Sequence, residues 1–84
     1  MHEDEKLIRD NISSLLSHHQ VKAKTGTIGG EWSLLDDQIH ASHGTPKNVA
    51  FTVVLVNGDA RCISVAAKIH RDTARLSNIV VYDL

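Results

Sequence analysis

The chain has 84 residues, nine basic and ten acidic, with a net charge of −1 and 42% hydrophobic content. That is one domain's worth of chain, too apolar for disorder and too balanced in charge for a dedicated nucleic-acid binder. No apolar run approaches the length of a membrane-spanning helix. The lone cysteine, Cys62, excludes an internal disulfide and fits a reducing compartment, here read as the cytoplasm.

The first expected element is a helix over 3–17. Leu7, Ile8, Ile12, Leu15 and Leu16 recur at helical spacing and form one apolar stripe. Glu3, Asp4 and Glu5 suit the positive end of its dipole, and His18 and His19 suit the other end. This acidic start is the reverse of a secretory or mitochondrial leader.

Val21, Ala23 and Thr25 alternate with Lys22 and Lys24, which predicts a half-exposed strand. Gly29-Gly30 predicts a tight turn into a second strand over 31–35, interrupted by Asp36-Asp37 and continued over 38–41. Gly26 to Gly30 shares only its glycines with a phosphate-binding loop, because the Gly-Lys-Ser/Thr end is missing. Ser42 to Asn48, with the only proline, is the clearest loop.

Val49 to Val56 and Arg61 to Ile69 read as a hairpin around Asn57-Gly58, the dipeptide preferred in two-residue type I′ turns. That turn pairs Val56 with Asp59 and leaves both faces of the hairpin apolar. A three-residue loop would instead gather Val49, Phe51, Val53, Leu55, Ile63, Val65 and Ile69 on one face. The Asn-Gly register is the expected one. Since one helix covers one face, the second apolar face predicts a homodimer. Leu76 to Leu84 forms the last strand, after a turn over 71–75.

The fold class is therefore α+β, an N-terminal helix packed on a four- to five-stranded antiparallel sheet, one domain over 1–84. No complete catalytic set is legible. Cys62 lies within a strand and reads as a core cysteine, not a nucleophile. His40 and His43 have metal-ligand spacing but lack the third and fourth ligands a site needs, and they read as loop histidines. No cofactor is implied. The six histidines would carry the net charge from −1 toward roughly +5 between neutral and mildly acidic pH. Arg61, Lys68, Arg71 and Arg75 form the only basic concentration, in a C-terminal half that is positive while the N-terminal half is negative. Trp32 is the best anchor for a partner if it is exposed, the alternative being a core tryptophan under the helix. The binding candidates are thus Trp32, Arg61, Arg71 and Arg75.

The stretch from Asn48 to Leu84 carries Ala50, Val54, Gly58, Val65, Ala67 and alternating apolar residues over 76–84. In this it resembles the cytochrome oxidase assembly protein 1 family, where an Ala-x-Phe-x-Val strand precedes a glycine turn and a Val-x-Ala strand. Two features differ: the family's membrane segment has no counterpart, and Arg75-Leu76 stands where a tryptophan is common. The resemblance implies a cystatin-like α+β roll and binding rather than catalysis. The expected function is a small non-catalytic binding or adaptor module with an unidentified protein partner, acting through its sheet. Two alternatives stand beside it, an enzyme or small-ligand carrier with a shallow apolar pocket, and a metal- or pH-responsive histidine protein.

Overall fold

The computed structural model describes residues 2–42 and 44–84, with the side chain of His2 left aside. Three helices come first, α1 (His2–Asp10), α2 (Ile12–Ser17) and α3 (His19–Ile28). Five strands follow, β1 (Trp32–Leu34), β2 (His40–Ser42), β3 (Asn48–Asn57), β4 (Cys62–His70) and β5 (Leu76–Asp83), with a single 3-10 turn at Asp36–Gln38. All pairings are antiparallel in the order β1-β3-β4-β5, with β2 on β3 beyond β1. β1 and β2 thus act as one interrupted edge strand, as expected around Asp36-Asp37. The fold is α+β, with a helical N-terminal region packed on an open antiparallel sheet.

The single helix expected over 3–17 is two helices with a break at Asn11. The Asn11 side chain donates to the Leu7 carbonyl at 2.8 Å, competing with the backbone ladder at that turn. The strand expected over 21–25 is helical, within α3. His18 is extended at ψ 136°, and its Nδ1 accepts the Gln20 N–H, so it caps α3. Val21 is buried and Lys24, Thr25 and Ile28 are half-buried, a period of three and four rather than two. Short alternation among lysine and alanine, both good helix formers, is a weak strand signal. The helix ends at Gly29, with φ 81°, whose N–H donates to the Thr25 carbonyl at 2.9 Å. The Gly29-Gly30 turn is where it was expected, but it leaves a helix.

The β3–β4 register corrects the expected one. Val56 pairs with Cys62 and Phe51 with Ala67, and the Asn57 N–H donates to the Arg61 carbonyl at 3.1 Å. The loop is therefore Gly58-Asp59-Ala60, three residues, with Ala60 and not glycine at positive φ (61°). Asn57 lies before the turn instead of inside it, and its Oδ1 accepts the N–H groups of Asp59 and Arg61, each at 3.0 Å. Placing alanine in the left-handed region costs about 1–2 kcal/mol. Burying Ile63, Val65 and Ile69 stabilises by about 1.5–3 kcal/mol each, so the hydrophobic pattern outweighs the dipeptide preference.

One face of the sheet consequently carries Val49, Val53, Leu55, Ile63, Val65 and Ile69, all fully buried under Ile8, Leu15 and Val21 from the three helices. Cys62, expected in the core, stands half-buried on the opposite face.

Asp4 is 5% exposed and receives a hydrogen bond from the Arg71 guanidinium, which ties α1 to the β4–β5 turn. At the far end of the sheet, Asn57 Nδ2 donates to the Gly29 carbonyl at 3.1 Å. Arg9 with Asp36 and Lys24 with Asp83 bridge helices to sheet at the surface.

Candidate functional site

The helices cover one face of the sheet and leave the other open. The register ranks the open-face residues in rows across the strands. Ser33, Val56 and Cys62 form the first row, with Leu84 beside Cys62 through its N–H to the Cys62 carbonyl. Leu35, Val54, Ser64 and Tyr82 form the second, and His40, Thr52, Ala66 and Val80 the third. Ser42, Ala50, Lys68 and Ser77 come next. Asn48 and His70 end the array, with Arg75 alongside through its carbonyl, which accepts the His70 N–H.

These rows divide the face into two halves of different chemistry. The exposed large hydrophobic residues of the described chain are Leu35 (38%), Val80 (45%), Tyr82 (54%) and Leu84 (73%), and all four fall in the first three rows. Val54, Val56 and Cys62 lie between them, half-buried. Scattered exposed apolar residues are ordinary, but contiguity on one uncovered face is not. The other half is polar and basic. Its described strand positions include no carboxylate; Asp72, in the following turn, is the nearest acid in sequence.

The polar half is hollowed by adjoining depressions of about 360, 340 and 610 Å³. The first is lined by His40, Ser42, Ala66, Lys68 and Asn78, and shares Ala50 and Lys68 with the second. The third, lined by His70, Thr73, Arg75 and Ser77, shares Asn48 with the second. A bulge shapes this trough. Between the Ala66–Val80 and Lys68–Ser77 pairs, β5 has one residue more than β4, and Asn78 takes φ 53° to absorb it. Asparagine tolerates that conformation better than most residues, and bulges of this kind re-aim side chains.

The sequence candidates are dispersed. Trp32 faces the helix side, half-buried, and its ring N–H donates to the carbonyls of Thr25 (3.3 Å) and Gly29 (3.2 Å). It joins α3 to β1. Arg71 is engaged by Asp4 and faces α1. Arg61 and Arg75 lie at opposite ends of β4, so the four basic residues do not form one patch. Arg75 alone among the binding candidates lines the trough, and Lys68 joins it there. His40 projects onto the open face, while His43 lies outside the described residues. No group of three or more His, Cys, Asp or Glu among the described residues could hold a metal ion. His70 forms a turn: its Nδ1 accepts the N–H groups of Asp72 and Thr73 at 3.2 and 3.3 Å.

Lys68, named from sequence as part of the basic concentration, lies on the open face, whereas Asn48, Val80 and Tyr82 carry no local signal and owe their place there to the strand pairing. No described helix is long and apolar enough to cross a membrane. Comparison with protein-family models, curated proteins and solved structures returns no match to this chain.

Proposed function

We propose that this protein is a non-catalytic binding module that works through the open face of its sheet and forms a homodimer through the apolar half of that face. The observation that carries this reading is the gathering of Leu35, Val80, Tyr82 and Leu84 on the one sheet face that no helix covers. The corrected register removes the original ground for a dimer, and the proposal rests on a different one. The buried hairpin residues are satisfied within one chain, and the surface left to bury comes from β5 and the end of β1. Each aromatic or branched residue sealed there adds about 1.5–3 kcal/mol when fully desolvated. A small chain gains more than a large one from such sealing, since little of its surface is buried internally.

Sedimentation velocity across micromolar concentrations tests the reading. The expected result is a dimer that dissociates on Tyr82→Lys with the fold retained. A strict monomer throughout the range overturns the dimer.

A further inference from the structure

The polar half of the open face is chemically unlike the half assigned to self-association, and it needs its own account. Lys6, Arg9, Lys24 and Arg71 each have a carboxylate partner. Lys22, Lys47, Arg61, Lys68 and Arg75 make no ion pair among the described residues, and of these Lys68 and Arg75 line the trough.

We propose that this trough is a docking site for an acidic, extended segment of another protein, with Lys68 and Arg75 receiving its carboxylates. Three features select that occupant. First, the charge is one-sided: Lys68 and Arg75 face the trough with no carboxylate on the described strand positions between them. Second, the positive groups are strung along adjoining depressions instead of converging on one point. A single phosphate calls for converging donors, commonly backbone N–H groups at a turn or helix start, and the trough offers side chains on strands. Third, the floor is built from Ala50 and Ala66, which allow a backbone to lie close, and no exposed aromatic residue lines the trough. A nucleic-acid strand would lack a stacking platform. An extended peptide with acidic residues at every second position presents all its carboxylates on one side.

The inference uses the open face of the preceding proposal but does not depend on self-association. The test is fluorescence anisotropy with a short fluorescein-labelled peptide of alternating glutamate and serine, using the full chain. Sedimentation of the same samples reads the oligomer separately. The expected result is binding that weakens with added salt and weakens roughly tenfold with Lys68→Glu or Arg75→Glu. Lys22→Glu, the same charge change on α3, leaves it unaltered. Circular dichroism confirms that each variant is folded. Three outcomes would overturn the proposal: no binding at millimolar peptide, an equal loss with Lys22→Glu, or tighter binding of inorganic phosphate or a single-stranded oligonucleotide than of the peptide.

Discussion

The Arg71 guanidinium is hydrogen-bonded to the buried carboxylate of Asp4, across 67 positions of chain, and so joins the first turn of the protein to its last β-turn. The Asp4 side chain is 6% exposed and that of Arg71 33%, so the carboxylate depends on this partner far more than the guanidinium does. An arginine with the look of a binding residue is thus a clasp between α1 and the sheet.

That asymmetry sets the expected ordering of variants. Arg71→Ala strands a desolvated carboxylate and should lower unfolding free energy by about 2–3 kcal/mol. Asp4→Asn keeps a hydrogen-bond acceptor and should cost less. The double variant should cost less than the sum of the two single changes, because the pair acts as one unit. Urea unfolding of the four proteins measures all three differences. A small effect for Arg71→Ala would show the clasp to be dispensable.

Asn57 closes the opposite end of the molecule. Its side chain serves Asp59, Arg61 and Gly29 together, and it is 7% exposed. Asn57→Ala removes these bonds and leaves their partners wanting, with an expected cost of about 2 kcal/mol. For a chain of this size that corresponds to a fall in Tm of roughly 8–16 °C. Calorimetry or thermal circular dichroism would read it.

Of the three non-glycine residues in the left-handed region, Ala60, Ala74 and Asn78, the first and last sit there for opposite reasons, and glycine substitutions should separate them. Ala60, at φ 61°, gains nothing from its methyl group, so Ala60→Gly should stabilise by about 0.5–1 kcal/mol. Asn78, at φ 53°, already suits its conformation. Asn78→Gly should be nearly neutral, while Asn78→Val should cost about 1–2 kcal/mol and disturb the trough. Denaturant midpoints for the three proteins check the signs.

Cys62 reports on the apolar half of the open face. It is half-buried within one chain, opposite Val56 and beside Leu84. Self-association through this half should slow its modification by a thiol reagent as protein concentration rises, with the effect lost in Tyr82→Lys. A rate independent of concentration would place the dimer contact elsewhere or dismiss it.

The sequence by itself determined the class of the fold and most of its boundaries. The apolar stripe of Leu7, Ile8, Ile12, Leu15 and Leu16 and the β-branched runs of β3 and β4 are strong periodic signals; the strands lie where the pattern put them, and the stripe is helical but broken at Asn11. Weak local signals were decided by tertiary structure. The 21–25 stretch is helical because Val21 and Ile28 then reach the core from one side, which a short lysine-alanine alternation could not announce. The hairpin register turned on a contest between a turn dipeptide and six buried aliphatic side chains, and burial carries the larger energy. Register in turn decided which residues face outward. A period of two moves Cys62, Lys68 and His70 from one face to the other with a slip of a single residue. The open face, with its apolar and basic halves, is therefore a property of the strand pairing. No sequence-local feature reveals it.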